Sequence, residues 1–432
     1  MGRNDSFDVY IAYDRDAGAD LPSVIQVLCC SYGYSAFHAG NLIEENRYDG
    51  CLHTIISQCK YFVLVLTDGM WEGRNSKHIL WQLREAVKSK AKILVVRPTR
   101  CTAGFCLSKM TGSLAQIKDK CIVDLALQDD GEAVLSKMGI SLNCSCAVVK
   151  SQTPIQEPRK FIEQYAEKGL ASAECALGCM LYRASEKELA KQWLIRAAEH
   201  GDVVAMLNLG VYKFGFHSDE RFADYWLRSA VSYGCAPAEY FLAFCVGNGW
   251  YDGAIDFLGQ RHYIKESAKH GCGDAMCWLA MDSVDWNWAH WDRPKKWRFD
   301  LKRACYWWRR ARIAGCFAAS YYLAMVELGM YVPLQKNEWF WHEHEGFDEW
   351  RTVVLKAHPV KGNREKSLKR AKKLLLEYID CLGHRDLSHY YDACLYLARI
   401  AKIQEEQDEA TSWYEKGKSS GWYVKGEEML KQ

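Results

Sequence analysis

The strongest constraint on the fold of this chain is a repeat in its second part. Five glycines mark the repeat: Gly169, Gly201, Gly234, Gly271 and Gly315. An alanine stands four residues after each of these glycines, and a leucine stands eight residues after each. Aromatic residues stand eight residues before four of them, at Trp193, Trp226, Tyr263 and Trp307. Agreement of five anchors at several offsets indicates a repeated structural unit.

The spacings between these glycines are 32, 33, 37 and 44 residues, which is the range of helical-hairpin solenoids. Small alanines allow paired helices to approach closely, and the aromatic and leucine residues are expected to fill the space between hairpins. Each glycine is expected to end a helix in a left-handed cap. Such a unit cannot bury its own apolar face, so the units stack. We therefore predict an all-α solenoid over residues 158–432, with its largest insertion at Trp286–Trp297.

The first 150 residues have a different periodicity, in which strand patterns alternate with helical ones. The predicted strands cover residues 8–13, 34–37, 61–66, 92–97 and 121–125, and the main predicted helices cover 20–32, 48–59 and 76–89. This alternation implies βαβ units and a parallel sheet. Residues 1–150 are therefore predicted to form a small doubly wound α/β domain with five strands.

One short motif in this domain carries candidate chemistry. Trp81 and Glu85 are four residues apart, so they lie on one face of the predicted helix, about 40° apart. The helix follows a strand, and α/β sheets bind ligands at the carboxyl ends of their strands. The pair is therefore predicted to face a nucleotide cleft. In the alternative interpretation, Trp81 packs the helix onto the sheet and Glu85 pairs with Arg84 or Lys88.

Composition excludes several classes of function. A net charge of +2 predicts neither a strong nucleic-acid binder nor a polybasic membrane protein. No run of 18 apolar residues is present, so no membrane span is expected. The 19 cysteines are odd in number and irregularly spaced, which indicates reduced, buried thiols in a cytoplasmic protein. There is no CxxC pair, and Cys144-Ser-Cys146 lacks further ligands nearby, so no metal site is expected.

These motifs resemble two known families. The first 150 residues resemble a TIR domain, which has a flavodoxin-like fold. The matching segments are Asp8–Tyr13, Gly33–Phe37, Phe62–Thr67 and the WxxxE motif at Trp81–Glu85. The likeness is greatest to the TIR branch that cleaves NAD+. The glycine, alanine, leucine and aromatic lattice resembles Sel1-like repeats, which are related to TPR repeats.

The first resemblance implies an enzyme that cleaves the nicotinamide–ribose bond, with NAD+ as substrate and no cofactor. Glu85 matches the catalytic glutamate of the family, and Tyr13, Arg15 and Trp81 are expected to bind the substrate. One carboxylate suffices for this chemistry, because nicotinamide leaves as a neutral ring and needs no general acid. Ordinary glycosidases use a second carboxyl group for that purpose. The single carboxylate would stabilise an oxocarbenium-like ribosyl cation electrostatically.

The resemblance also implies self-association. Residues 38–47 correspond to the BB loop of TIR domains, which contacts the next copy, and His38, Gly40, Asn41 and Asn46 are its candidate assembly residues. The chain departs from the pattern of NAD-cleaving members at four positions. Ala12 stands where serine is usual and Asp14 where arginine is usual. In the loop, Ala39 replaces an aspartate and Asn46 replaces a glycine.

The expectation is therefore an NAD+ hydrolase, in a setting such as innate immunity. Self-association would activate it, and a repeat domain that binds a protein or ligand partner would regulate it. Two alternatives stay open. The first is a non-enzymatic TIR adaptor on a scaffold, and the second is an enzyme that produces a cyclic or variant ADP-ribose.

Overall fold

The structure is a computed structural model with two compact units, Met1–Cys272 and Gly273–Gln432. It describes residues 7–43, 49–71, 73, 75–98, 122–125, 131–140, 157–211, 220–247, 256–284, 300–329, 364–382 and 387–418. The predictions for Asn46, Cys144-Ser-Cys146 and Trp286–Trp297 lie outside these residues. The predicted domain limits at residues 150 and 158 stay a prediction.

The first unit contains a five-stranded sheet. Its strands are β1 (Val9–Ala12), β2 (Ala36–Phe37), β3 (Tyr61–Val65), β4 (Lys92–Pro98) and β5 (Ile122–Leu125). Their order is β2-β1-β3-β4-β5, and every neighbouring pair is parallel, which confirms the predicted parallel sheet. The chain moves from β1 to β2 on one side and then to β3 on the other. This reversal creates a crevice at the carboxyl ends of β1 and β3.

Helices cover both faces of the sheet. Helices α1 (Asp20–Ser31) and α4 (Gly131–Lys137) share a core with the strand residues of one face, and α2 (Asp49–Gln58) and α3 (Ser76–Ser89) share a core with those of the other. Central strand residues are buried on both faces, which explains why the strands are continuous apolar runs.

The remaining helices form hairpins. In the first unit they are α5 (Pro158–Glu167), α6 (Ala171–Arg183), α7 (Lys187–Glu199), α8 (Val203–Val211), α9 (Glu220–Ser232), α10 (Ala236–Gly247) and α11 (Phe257–Lys269). In the second they are α12 (Gly273–Val284), α13 (Leu301–Ala314), α14 (Ala318–Glu327), α15 (Arg364–Leu382), α16 (Leu387–Ile403) and α17 (Gln407–Lys418). The prediction of a helical solenoid built from hairpins is therefore confirmed.

The repeat positions explain how the hairpins pack. All five repeat glycines have positive φ, between 81° and 103°, as the predicted left-handed caps require. The five alanines that follow them are fully buried. Gly178 shows how closely the helices approach, because a Cβ atom there would lie 2.8 Å from Leu194 Cγ.

The predicted role of the repeat aromatics needs one correction. Trp226 is buried, but Trp193, Tyr263 and Trp307 are only half-buried. The residue that follows each aromatic is the fully buried one: Leu194, Leu227, Ile264 and Trp308. The reason is the helical period, because residues four apart share a face and adjacent residues are about 100° apart. Ala190 and Leu194 therefore point into the hairpin together, and Trp193 does not.

The described cysteines are free thiols, and most are buried. Burial raises the pKa of Cys30 to about 11 and that of Cys59 to about 12. Within the described ranges, no helix combines the length and the hydropathy needed to cross a membrane.

Candidate functional site

Glu85 lies in an ion-paired seam between two helices. Its carboxylate is 2.5 Å from Lys88 Nζ and 3.4 Å from His53 Nε2 on α2, and its side chain is 9% exposed. Burial raises the pKa of Glu85, but His53 and Lys88 lower it, and the net pKa is below the usual value. The carboxylate is therefore ionised at neutral pH, and the Lys88 ammonium partly neutralises its charge.

The position of Glu85 along α3 separates it from the other predicted site residues. The helix begins at Ser76, after β3, and ends at Ser89, shortly before β4 begins. At 1.5 Å per residue, Glu85 lies roughly 13 Å from the start of the helix, toward the amino ends of the strands. Tyr13 and Arg15 follow β1 at the opposite, carboxyl edge. The catalytic role of Glu85 stays a prediction.

Trp81 packs within the helical layer. Its ring stacks on His78, with centroids 5.7 Å apart and an interplanar angle of 16°, and it contacts the core shared with α2. His78 and Gln82 are buried polar residues one turn apart, with Gln82 Nε2 3.5 Å from His78 Nε2. The sequence interpretation did not single them out, although two polar residues at i and i+4 on a buried helix face are a detectable signal. The role of Trp81 in substrate binding stays a prediction.

Asp14 is a second acid, at the crevice where a ligand is expected. It follows β1, is 5% exposed, and accepts hydrogen bonds from Asn75 Nδ2 at 2.8 Å and from the Asp16 amide at 3.2 Å. The second bond caps a short 3-10 helix at Arg15–Ala17. Because Asn75 directly precedes α3, Asp14 links the loops that follow β1 and β3. The sequence interpretation treated Asp14 only as a departure from arginine.

The predicted assembly loop is buried. His38, Gly40 and Asn41 are all buried, and the loop contains a 3-10 turn at Ala39–Asn41. The Tyr13 ring meets the His38 ring edge to face at 5.8 Å. A Cβ atom at Gly40 would lie 2.6 Å from Ala19 Cβ and closer still to the Tyr13 hydroxyl, so only glycine fits there. The structure therefore brings Tyr13 together with the loop.

Hairpin residues from the same chain hold this loop. Arg183 on α6 donates to the Gly40 carbonyl at 2.6 Å. Cys179 Sγ and Asn208 Nδ2 donate to the Asn41 carbonyl at 3.1 Å and 2.7 Å. The Ile43 amide donates to Asn208 Oδ1 at 3.1 Å. The surface predicted to contact another copy is thus occupied by α6 and α8.

His38 is a neutral buried base in this loop. Its Nε2 lies 3.3 Å from Ser23 Oγ on α1, and its Nδ1 has no hydrogen-bond partner among the described residues. Burial, with a contribution from the positive charge of Arg183, lowers the pKa of His38 to about 3. Protonation of this ring would place an unpaired charge in the core.

The described residues contain no group of three or more His, Cys, Asp or Glu side chains arranged to hold a metal ion.

No protein-family model and no curated protein matches the chain. Several solved structures share some similarity with the chain, and two of them are Sel1-repeat or SLR proteins. A Sel1 repeat protein from Oxalobacter formigenes is 17% identical, with a TM-score of 0.43 over 61% of this chain and 94% of that one.

The second structure is c5321, a protective antigen of uropathogenic Escherichia coli that displays an SLR fold. It is 21% identical to this chain, with a TM-score of 0.39. The match covers 62% of this chain and 49% of the antigen. Both likenesses are distant, and the assignment of helical-hairpin repeats rests on the buried alanines and positive-φ glycines described above.

Proposed function

We propose that the chain is a regulated signalling scaffold. In this proposal, the flavodoxin-like α/β domain is a TIR-type interaction domain that self-associates through the loop at residues 38–43. The hairpins are Sel1-like repeats that bind a protein partner. Partner binding releases the loop. The observation that carries the proposal is the set of hydrogen bonds from Arg183, Cys179 and Asn208 to the backbone of this loop.

The strength of these bonds suits a switch. A hydrogen bond within a protein contributes about 0.5–1.5 kcal/mol net, and one from a charged donor about 1.5–3 kcal/mol. The bonds to Gly40 and Asn41 therefore sum to a few kcal/mol. Coupling between two binding events is typically about 1–3 kcal/mol, so partner binding is strong enough to shift such an equilibrium.

The hairpins also present apolar side chains to which a partner can bind. Tyr225 on α9 is 62% exposed and Leu258 on α11 is 78% exposed, and both lie on second helices of successive hairpins. In this proposal they form part of the surface that binds the partner.

The Arg183→Ala variant tests the loop. We expect it to form larger species as its concentration rises, because the Gly40 carbonyl loses its charged donor and the loop opens. Sedimentation velocity of wild type and variant measures this change. Arg159→Ala is the matched control, because the Arg159 guanidinium pairs with Glu163 on an exposed helix surface.

Hydrogen exchange of residues 38–43 shows whether the loop has opened in Arg183→Ala. If these amides exchange faster but the sedimentation coefficient equals that of wild type at every concentration, the loop is not a self-association surface and the proposal is rejected.

NAD+ cleavage is the second candidate function. The ionised state of Glu85 favours it, because an electrostatic stabiliser of a ribosyl cation has to be charged at neutral pH. Against it stands the pairing of that carboxylate with Lys88 and His53.

For this candidate we expect concentrated wild-type chain to release nicotinamide from NAD+ and Glu85→Gln to do so about a hundredfold more slowly. Glu163→Gln, in the helix-surface ion pair with Arg159, is the control. Asp14→Asn tests the acid at the crevice, and a loss confined to Asp14→Asn would move the catalytic assignment to Asp14. Release that is equal in wild type and both site variants would reject NAD+ cleavage at either acid. Chromatography of the products distinguishes linear from cyclic ADP-ribose.

A further inference from the structure

Helix α13 of the second unit carries an uncompensated positive charge. It has five basic residues and no acidic one, whereas the corresponding helix α9 of the first unit has two bases and two acids. Among the described residues, Arg312 alone of the five has an acidic partner. It forms two bonds, of 2.7 Å and 3.1 Å, with Glu377 on α15. The other four bases therefore leave a net positive charge on this helix.

The helical period places these four bases around two exposed apolar side chains. At about 100° per residue, Tyr306 and Ile313 lie about 20° apart on the helix surface. Tyr306 is 50% exposed and Ile313 is 61% exposed, whereas Ala304 and Trp308 on the other side of the helix are fully buried. The bases are all exposed and lie within about 60° of Tyr306, two on each side: Lys302, Arg303, Arg309 and Arg310.

The positive surface continues onto α15. The pair between Arg312 and Glu377 holds the two helices side by side. Lys369 and Lys373 on α15 are exposed, and neither has an acidic partner among the described residues. Lys373 is one turn before Glu377, so it lies on the side of α15 that faces α13. The basic face is defined by these two lysines together with the four exposed bases of α13.

Nearby acids do not cancel this charge. Glu327 on α14 is paired with Arg370 at 3.1 Å. Asp300 is the N-cap of α13, where it accepts a hydrogen bond from the Arg303 amide at 2.9 Å, and it lies about 120° around the helix from Tyr306. The net charge of +2 for the whole chain therefore conceals a local positive surface.

This arrangement matches a bilayer that contains acidic lipids. Apolar side chains at the centre of such a face enter the interfacial layer, and the long Lys and Arg side chains beside them reach the headgroups. Tyrosine is one of the residues enriched at this depth. Each Lys or Arg close to an anionic membrane surface strengthens binding about fivefold. A bilayer supplies apolar chains and anionic groups side by side, so it needs no sequence that matches the spacing of Tyr306 and Ile313.

The aromatic residues of α13 disfavour single-stranded nucleic acid as the partner. Nucleobases bind such proteins by stacking on exposed rings. The Arg310 guanidinium lies 5.6 Å from the centroid of the Tyr306 ring and 5.8 Å from that of Trp307, and it donates to the Tyr306 hydroxyl at 2.7 Å. A base would have to displace this guanidinium, and the exposed Ile313 offers nothing to a phosphodiester chain.

We propose that the basic face of α13 and α15 binds the surface of an anionic lipid bilayer, with Tyr306 and Ile313 in the interfacial layer. This inference depends neither on the loop at residues 38–43 nor on Glu85, so it stands or falls independently of the proposed functions.

Flotation of the full chain with lipid vesicles tests the proposal. We expect the chain to bind vesicles of phosphatidylcholine with about one-third phosphatidylserine, and not vesicles of phosphatidylcholine alone. Binding should weaken as salt rises from roughly 0.1 M to roughly 1 M, because the Debye length falls from about 10 Å to about 3 Å. Absence of binding, or equal binding to both kinds of vesicle, would overturn the proposal.

Charge variants locate the surface. Arg309→Gln/Lys373→Gln is expected to bind the anionic vesicles about 25-fold more weakly, a factor of about five for each base. Arg159→Gln/Lys160→Gln is the matched control, because it removes two charges that are paired with Glu163 and Glu157 on α5 and before it. Equal binding by the two double variants would reject the assignment to this face.

The apolar centre distinguishes a bilayer from other anionic partners. Ile313→Ser is expected to bind the anionic vesicles about tenfold more weakly, since serine removes the side chain that leaves water on insertion. Leu258→Ser, at an exposed position on α11 of the first unit, is the control. Binding that is unchanged in Ile313→Ser would contradict insertion. A single-stranded oligonucleotide or a polyglutamate peptide that binds wild type more tightly than the vesicles and displaces them would assign the face to that partner and overturn the proposal. Circular dichroism verifies the fold of each variant.

Discussion

Acidification from pH 6.5 to about pH 3 is expected to remove about 4 kcal/mol of folding free energy through His38 alone. The pKa of this ring falls from 6.5 to about 3 on folding, mainly because the ring is buried and secondarily because Arg183 is nearby. The pKa of His38 is lower in the folded state than in the unfolded state. The contribution of His38 to the free energy of unfolding is therefore fully present above pH 6.5 and is lost as the pH falls toward 3. A pKa difference of one between the folded and unfolded states corresponds to about 1.36 kcal/mol.

Urea unfolding of wild type and His38→Gln at several pH values measures this contribution. Carboxylates also titrate below pH 5, so the informative quantity is the difference between the two proteins. Wild type should lose stability more steeply than His38→Gln between pH 6.5 and 4, and the exposed-site control His262→Gln should follow wild type. Parallel curves for wild type and His38→Gln would show that folding does not lower the pKa of His38, contrary to the effect expected from its burial.

In the second unit, replacement of Trp308 by alanine is expected to lower the free energy of unfolding by about 3–5 kcal/mol. Trp308 on α13 is fully buried, and its ring stacks on Tyr322 with centroids 5.6 Å apart. Truncation leaves a large cavity in a hairpin whose backbone approach is fixed by buried alanines, so the neighbours cannot close it.

The matched control is the preceding residue. Trp307 occupies the conspicuous aromatic position of the repeat but is only half-buried, so Trp307→Ala is expected to cost about 1 kcal/mol. Urea unfolding followed by far-UV circular dichroism measures both. A larger loss for Trp307→Ala than for Trp308→Ala would contradict the packing described for the hairpins.

Local patterns predicted most of the secondary structure. Helix α3 begins and ends at the residues that its apolar period indicated, and the five parallel strands lie within one or two residues of their predicted limits. The positive-φ glycines and the alanines that follow them were also predictable, because a hairpin repeat imposes the same backbone and packing requirement at each copy.

Features that depend on distant contacts were not predictable. The loop at Gly40 is covered by Arg183, which is 143 residues away in the chain, and no periodicity records that contact. The pairs Glu174–His200 and Glu239–His270 are regular in sequence, but only the fold shows that they are in contact. The WxxxE pattern identified a face of α3 and allowed the pairing of Glu85 with Lys88, whereas the contact of Glu85 with His53 depends on how α2 packs.

The distribution of thiols has a practical consequence for experiments. Alkylating reagents attack the thiolate, and burial keeps side chains such as Cys59 in the first unit and Cys394 in the second protonated and out of reach. Each of them reacts only when the segment that covers it opens. Timed alkylation followed by peptide mass spectrometry therefore measures the rate of local opening at each native cysteine. The rates rank the segments by how often they open, and no introduced label is needed.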